Sequence, residues 1–208
     1  MRSMKERGRP KIVQDDEILN AALKGFAELG YGGISLRTLS TELGLSHSAV
    51  GQRYGTKNNL FREAVAAEFN RFFTAIGAAR ATWPESLDDL EELRALIHSF
   101  LTAAALFPSL GQLMNREGVD RSDRLDYIFE TAIVPQITPL IELLDRLRSD
   151  NLIYPIPTRS LFFLVAHGAE APFTLKGFSA EFDSFDGELD VSGHIDVVTD
   201  LVMRAITL

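Results

Sequence analysis

The chain has 208 residues, of which 46% are hydrophobic and 24% charged, a composition typical of a folded chain with a sizeable core. It contains no cysteine, which excludes disulfides and thiolate metal sites and is compatible with a reducing cytoplasm. No apolar run approaches the ~18 residues of a membrane span, so we expect no membrane partner.

Charge is divided unevenly along the chain. The formal net charge is −8, yet residues 1–57 contain nine Lys and Arg against six Asp and Glu. The acidic remainder would repel a nucleic acid, so binding to DNA would be confined to the basic N-terminal part.

Residues 1–11 are predicted to form a basic, disordered arm. The sequence Arg7-Gly8-Arg9-Pro10 resembles the centre of an AT-hook, whose arginines enter the narrow, electronegative minor groove of A·T tracts. Gly8 leaves the backbone free to approach that groove, and Pro10 favours an extended chain. The alternative is an arm that only strengthens non-specific attraction to phosphates.

Residues 34–57 have the pattern of a helix-turn-helix. Ser35 can cap a first short helix, and Gly44 can end it in a left-handed conformation. Ser46 can then cap a second helix over residues 47–54. The apolar face of the first helix consists of Ile34, Leu36, Leu39 and Leu43. This geometry lays the second helix into the major groove of DNA.

The outer side of the second helix carries the side chains expected to contact DNA. Gln52 and Arg53 are of the types that form bidentate hydrogen bonds with adenine and guanine edges. The predicted DNA-binding residues, including the arm and both helix starts, are Arg7, Arg9, Ser35, Arg37, Ser46, His47, Ser48, Ala49, Gln52, Arg53, Tyr54 and Lys57. The alternative is an ordinary helical hairpin in which Ser and Gly act only as caps.

Roughly residues 12–69 resemble the N-terminal domain of TetR-family transcriptional regulators. The matching features follow in order: a first helix ending in Phe-Ala-Glu-Leu-Gly-Tyr, a Ser-Leu-Arg-x-Leu-Ser helix opening, and a Leu-Gly-Leu-Ser turn. The second helix closes on Tyr54 and Lys57, and Leu60-Phe61 opens a long connecting helix. Agreement at many fixed offsets makes this resemblance specific.

The resemblance implies a DNA-binding domain over residues 12–57 and a helical domain for ligand binding and dimerisation over residues 58–208. The chain departs from the family pattern at two positions. Gly51 replaces a tyrosine that contacts a phosphate, at a helix cost of roughly 1 kcal/mol relative to alanine. Arg53 replaces a histidine or tyrosine, which leaves Gln52 and Arg53 as the main candidates for base contact.

Beyond residue 57, apolar residues recur with helical spacing almost throughout, which predicts an all-α fold. Helices are expected over about residues 60–79, 87–106, 109–118, 121–149, 158–177 and 194–208. The fourth of these should bend at Pro135 and Pro139, because each proline removes a backbone donor. Residues 179–193, which are acidic and rich in Gly and Ser, are expected to form a surface loop.

The last two predicted helices are expected to form a dimer interface, since they are apolar over more of their surface than one packing side covers. TetR-family members pair these helices with those of the partner in a four-helix bundle, and the resemblance implies the same here. The predicted dimerisation residues are Leu161, Leu164, Val165, Gly168, Val198, Leu201, Val202 and Ala205. The alternative is packing within the core of one chain.

The resemblance further implies a pocket among the middle helices. The predicted lining, apolar with three polar anchors, consists of His98, Phe100, Phe107, Met114, Tyr127, Phe129, Ile133, Phe162 and His167. Such a cavity suits a small hydrophobic ligand, whereas the alternative is a core of aromatic side chains. His167 and Glu170 have a spacing that could hold a metal, but two ligands do not make a site. We expect neither a metal nor a cofactor.

Catalysis finds no support, because the chain lacks a nucleophile elbow, a phosphate-binding loop, a zinc-protease motif and a dinucleotide-binding motif. We predict a cytoplasmic, homodimeric repressor that binds a palindromic operator and is released by a small hydrophobic effector. Two alternatives stay open. One is an effector-independent, architectural DNA-binding protein; the other is a small-molecule-binding helical protein whose DNA-binding domain is vestigial, as Gly51 would allow.

Overall fold

The structure is a computed structural model that describes residues 13–208. The predicted basic arm lies outside the described residues. Within them the regular secondary structure is helical, apart from one isolated bridge between Ile153 and Thr207. The predicted all-α fold is confirmed.

The chain divides into two compact units, an N-terminal unit that ends at Ala67 and a C-terminal unit, Glu68–Leu208. The N-terminal unit contains α1 (Asp15–Gly33), α2 (Leu36–Glu42), α3 (Ala49–Tyr54) and the first part of α4 (Lys57–Arg80). An aromatic cluster lies in its core: Phe26 stacks on Tyr31 with 5.8 Å between ring centroids and meets Phe61 edge-on at 5.2 Å. Phe26 and Phe61 are fully buried, so this cluster anchors α1 to the start of α4.

The C-terminal unit continues α4 and adds nine helices among the described residues. They are α5 (Asp89–Leu106), α6 (Pro108–Glu117), α7 (Asp123–Ile128), α8 (Val134–Ser149), α9 (Thr158–Phe163), α10 (Ala171–Thr174), α11 (Lys176–Ala180), α12 (Asp183–Asp186) and α13 (Val191–Ile206). At the start of α5, the Asp88 carboxylate accepts from Glu91 N–H at 2.8 Å, and the Glu91 carboxylate accepts from Asp88 N–H at 3.0 Å. Helix α5 packs against α13, α8 and α6 and is the central helix of this unit.

The predicted helices over residues 121–149 and 158–177 are not continuous α-helices. A wide π-helical turn, Phe129–Ile133, joins α7 to α8, and the N–H of Val134 donates to the carbonyl of Phe129. A second such turn, Leu164–Ala169, follows α9. A proline comes soon after each turn, Pro135 in one case and Pro172 in the other, and its missing N–H interrupts the α-helical hydrogen-bond pattern.

Residues 179–193 are mainly exposed, as expected, but they include the end of α11 and all of α12. The last helix, α13, begins at Val191 rather than at residue 194. The Asp190 carboxylate caps it by accepting from Gly193 N–H at 3.1 Å.

Among the described residues, one helical run, Asp123–Ser149, contains an 18-residue window that is apolar enough to cross a membrane by length and composition, with a mean hydropathy of 1.2. Charged and polar side chains, including Glu130, Gln136 and Glu142, interrupt this stretch, so it contains no unbroken apolar run of that length. Residues from this run, including Ile133, Ile137 and Leu140, line an internal cavity, which accounts for apolar positions without a lipid contact.

Candidate nucleic-acid interface and ligand cavity

The first half of the helix-turn-helix has the predicted geometry. Ser35 Oγ accepts from Thr38 N–H at 3.0 Å, and Thr38 Oγ1 accepts from Ser35 N–H at 3.2 Å. This reciprocal capping box fixes the start of α2. After α2, Gly44 has a φ of +71°, and its N–H donates to the Thr41 carbonyl at 3.0 Å. The predicted roles of Ser35 and Gly44 as cap and turn residue are confirmed.

The second half begins differently from the prediction. Helix α3 starts at Ala49, and the Ser46 carbonyl accepts from Ala49 N–H at 2.9 Å, so Ser46 is not a side-chain cap. The buried Ser40 hydroxyl on α2 takes that role, because it accepts from Val50 N–H at 3.2 Å while donating to the Leu36 carbonyl at 2.8 Å. Ser40 thus fixes α3 to α2. In the sequence, this role of Ser40 is indicated by its position as a hydroxyl residue next to the leucine-lined face of α2.

Most side chains predicted to contact DNA lie at the surface of the N-terminal unit. Arg7 and Arg9 lie outside the described residues. The exposed set consists of Ser35, Arg37, Ser46, His47, Ser48, Gln52 and Arg53, and the half-buried set of Ala49, Tyr54 and Lys57. His47 Nδ1 lies 3.0 Å from Thr41 Oγ1, whose hydroxyl donates to a backbone carbonyl. His47 Nδ1 therefore donates in this contact.

Arg53 is engaged within the protein. Its Nη1 donates to the Val13 carbonyl at 3.0 Å, and its guanidinium forms an ion pair with Asp15 at the start of α1. Tyr54 donates its hydroxyl to the same carboxylate at 2.7 Å. The hydrogen bonds from Tyr54 and Arg53 lower the pKa of Asp15, and burial together with Asp15 raises the pKa of Tyr54. Arg53 and Tyr54 therefore hold the end of α3 against α1.

Gln52 is left as the exposed side chain on α3 whose amide makes no hydrogen bond within the described residues. At the neighbouring Gly51, an added Cβ would meet only the Leu36 side chain, at 3.8 Å, so the surface of α3 is open there. Lys57 lies with its ammonium 4.5 Å from the centroid of the Tyr31 ring, a cation–π contact. A ligand approaching α3 would therefore meet Gln52 beside an open backbone.

The C-terminal unit contains a mainly apolar cavity of about 470 Å³. This volume lies within the range of small-molecule sites. Six of the predicted lining residues do line it: Phe100, Phe107, Met114, Ile133, Phe162 and His167. Sequence reasoning missed the wall contributed by α4, namely Phe69, Phe72, Phe73 and Ile76. The Phe72 ring meets Phe100 edge-on at 5.5 Å, which closes the gap between α4 and α5.

Three predicted lining residues lie elsewhere. The His98 ring packs against Trp83 and its Nε2 lies 3.1 Å from an Asp196 carboxylate oxygen on α13. Phe129 is 49% exposed, and Tyr127 is half-buried outside the lining. The wide turn after α7 changes the direction of side chains there, so helical spacing assigned these two to the wrong face.

The main polar group of the cavity is one that the sequence did not single out as a lining residue. Glu170, 6% exposed, follows the second wide turn, and burial raises its pKa to about 7. A Cβ on Gly111 would lie 2.6 Å from a Glu170 carboxylate oxygen, so a larger residue there would displace the Glu170 side chain. Nearby, His167 Nδ1 lies 2.6 Å from Asn115 Oδ1, and burial lowers the pKa of His167. In the sequence, Glu170 could have been recognised as the one acidic residue within an otherwise apolar segment.

The described residues include no cluster of three or more His, Cys, Asp or Glu side chains that could hold a metal. His167 is bonded to Asn115, and Glu170 lies against Gly111. The two side chains that the sequence placed at a metal-like spacing thus belong to the wall of the cavity.

The structure divides the predicted dimerisation residues between two faces. Leu161, Val165 and Val202 are at most 8% exposed and belong to the core of the C-terminal unit, so they present no surface to a partner. On the outer face, Leu164 is 46% and Leu201 is 59% exposed. The rest of the predicted set, Gly168, Val198 and Ala205, is exposed or half-buried, and Phe163 and Val197 add exposed apolar area that the sequence did not assign.

Comparison with known proteins finds that the N-terminal unit is similar to the DNA-binding part of bacterial transcriptional regulators. The family model of the bacterial regulatory proteins, tetR family, matches residues 18–64. The HTH-type transcriptional regulator YezE of Bacillus subtilis (strain 168) is 40% identical over 58 residues, which is 28% of this chain and 30% of that relative. The match therefore spans less than a third of the length of this curated relative.

Solved structures extend the likeness over nearly the whole chain. The ketosteroid transcriptional regulator KstR2 of Mycobacterium tuberculosis superposes with a TM-score of 0.69 at 15% identity, covering 97% of this chain and 100% of that one. The fatty acid degradation regulator FadR from Bacillus halodurans gives 0.63 at 18% identity, covering 91% and 98%. At these identities the likeness establishes the fold of both units.

Proposed function

Because the chain belongs to the TetR family of DNA-binding transcriptional regulators, we propose that it is a ligand-responsive repressor. It binds a palindromic operator as a homodimer and is released by a small apolar effector. The observation that carries this proposal is the pairing of an exposed helix-turn-helix with a ligand-sized cavity in the same chain.

DNA recognition is assigned to α3 and its surroundings. Gln52 and His47 offer exposed hydrogen-bonding groups to base edges, whereas Arg53 is engaged with Asp15 and Val13. Gln52 thus becomes the principal base-reading residue and Arg53 a positioning residue, with Arg37 and Lys57 as phosphate contacts. A glutamine can bond both N6 and N7 of adenine.

Dimerisation is assigned to the outer faces of α9, the wide turn after it, and α13. Phe163, Leu164, Val197 and Leu201 are each between 46% and 59% exposed, an apolar surface that association would remove from water. A two-fold dimer also supplies two copies of α3 for two operator half-sites.

The effector is assigned to the cavity of the C-terminal unit. Its aromatic and aliphatic walls suit an apolar molecule. Two structures of the same fold are named for the regulation of fatty acid degradation and for a ketosteroid, both classes of apolar compound.

Helix α4 provides the connection between effector and DNA. It begins at Lys57, directly after the helix-turn-helix, and its second half contributes Phe69, Phe72 and Ile76 to the cavity wall. An effector that favours one position of this wall shifts the population of α4, and with it the spacing of the two α3 helices in a dimer. The regulator acts on DNA in the cytoplasm, and its cavity serves recognition rather than catalysis.

Three substitutions on a duplex recovered by selection test the DNA-contact assignment. Gln52→Ala should weaken binding by ~1–3 kcal/mol and relax the preference at one base position. Arg53→Ala and Asp15→Asn break the same contact, so both should lower thermal stability while keeping base preference. A loss of base preference in Arg53→Ala but not in Asp15→Asn would instead make Arg53 a base contact. Unchanged affinity in Gln52→Ala would remove this residue from the interface.

A further inference from the structure

One buried carboxyl group distinguishes the cavity from a simple apolar site. Glu170 lines the cavity and is only 6% exposed. Its carboxyl makes no hydrogen bond or ion pair within the described residues. An unpaired carboxylate in apolar surroundings is unfavourable, so a site that keeps one is suited to a ligand that compensates it.

Hydrogen bonds hold the backbone that carries Glu170 in place. Glu170 stands between the wide turn Leu164–Ala169 and α10, and its carbonyl accepts from Phe173 N–H at 2.9 Å. On α6, an added Cβ at Gly111 would lie 2.6 Å from a Glu170 carboxylate oxygen and 2.5 Å from Thr174. Gln112 donates to the Thr174 carbonyl at 2.9 Å and holds α6 against α10. The carboxyl thus occupies a shaped recess, not a loose surface position.

Among the described residues, no other lining residue has a free positive charge for Glu170. Arg80 is bound to the Glu92 carboxylate and to the Pro84 carbonyl. His167 donates from Nδ1 to Asn115 Oδ1, which leaves Nε2 of the neutral ring as an acceptor. Burial lowers the pKa of His167 and so favours this neutral form. Glu170 and His167 therefore offer hydrogen-bond acceptors and no positive charge.

We infer that Glu170 anchors a lipophilic cation, so that the effector is an apolar amine whose ammonium group bonds to the Glu170 carboxylate. This inference rests on the proposed role of the cavity as the effector site. The apolar part of the ligand lies among Phe72, Phe100 and Phe162, whose ring faces also attract a cation. At pH 8, where Glu170 is mainly ionised, a ligand that carries a carboxylate meets a like charge instead and is disfavoured.

Three probes of one shape test the inference: phenylbutylamine, phenylbutanol and phenylbutanoate. They share the phenylalkyl body and differ only in the terminal group. Their affinities for the full-length protein are measured by calorimetry without DNA at pH 8, where Glu170 is mainly ionised. We expect the amine to bind at least tenfold more tightly than the alcohol, and the carboxylate to bind most weakly, because a buried, charge-assisted hydrogen bond is the strongest contact available.

Variants at the same position make the test specific. Glu170→Gln keeps the shape and should abolish the preference for the amine, while Glu170→Asp keeps the charge and should retain the preference. Glu181→Gln removes one charge from an exposed position and serves as the matched control. Equal affinities for the three probes, a preference for the carboxylate, an amine preference that survives Glu170→Gln, or no measurable binding of the amine would overturn the inference.

Failure of the inference and failure of the proposed function give different results. If neutral or anionic compounds bind in the cavity and release the protein from its operator, the proposed function as a ligand-responsive regulator is supported and the inference of a cationic effector is overturned. If the amine binds through Glu170 but leaves operator affinity unchanged, the cation site stands and the effector response is wrong.

Discussion

The two units of the chain differ in how completely their buried polar groups are hydrogen-bonded among the described residues. In the N-terminal unit, Ser40 bonds across the helix-turn-helix, and Arg53 and Tyr54 share Asp15. In the C-terminal unit, Glu170 has no partner within the described residues, and three buried polar atoms also lack one: His98 Nδ1, Ser99 Oγ and Thr199 Oγ1. Satisfied contacts hold a surface in one geometry, whereas the unpaired Glu170 in the cavity wall costs stability that a ligand can restore.

The largest effect on stability is expected at Glu170, because its buried carboxyl is costly to ionise. Burial raises its pKa from 4.5 to about 7, so between these values the folded state binds more protons than the unfolded state, and stability falls as pH rises. At ~1.4 kcal/mol for each pKa unit, the full cost is about 3 kcal/mol above pH 7.

Glu170→Gln removes this titration and should therefore be more stable than the parent chain by up to about 3 kcal/mol at pH 8, with the gain vanishing toward pH 4.5. Urea denaturation across this pH range measures the difference in the free energy of unfolding between the variant and the parent chain. For the exposed control Glu181→Gln, this difference should not change with pH. A difference for Glu170→Gln that does not change with pH would show that its carboxyl titrates as in water.

In the N-terminal unit, removing a satisfied polar group should lower the stability of the protein rather than raise it. Ser40→Ala leaves the buried Val50 N–H without its acceptor and should destabilise the protein by ~1–3 kcal/mol. Thr38→Ala, on the exposed side of α2, removes part of the capping box and should cost less. Thermal denaturation ranks the two. A smaller loss for Ser40→Ala than for Thr38→Ala would contradict the role given to Ser40.

The smallest effect on stability is expected at Gly51 in α3, where glycine is a poor helix former. Gly51→Ala should stabilise α3 by up to about 1 kcal/mol, because its Cβ makes an ordinary 3.8 Å contact with Leu36. Gly44→Ala is the informative counterpart: it should destabilise, since Gly44 has a φ of +71°. A loss of operator affinity in a stabilised Gly51→Ala would show that DNA approaches the backbone at this point.

Local rules explain why the N-terminal unit is the more predictable. The capping pattern at Ser35 and the left-handed position of Gly44 depend on a few neighbouring residues, and both were predicted. The contact of Arg53 with Asp15 joins residues far apart in sequence, so no periodicity indicates it. Composition alone therefore made Arg53 look like a free base-reading side chain.

In the C-terminal unit, the apolar pattern predicts helices but not which face turns inward. Helices that are apolar nearly all round give the same signal for core and surface, so Leu161 and Val165 could not be separated from Leu164. The wide turn Leu164–Ala169 interrupts the α-helical spacing directly before Glu170, which lies in the cavity wall. That placement depends on packing between helices distant in sequence.

The most direct test of the account is in vitro selection of random duplex DNA by the purified protein at ~150 mM salt, where non-specific attraction to phosphates is weakened. A dimer that presents two copies of α3 predicts enrichment of one palindrome, with half-sites about one helical turn apart. A folded protein that enriches no sequence would contradict the assignment as a specific regulator.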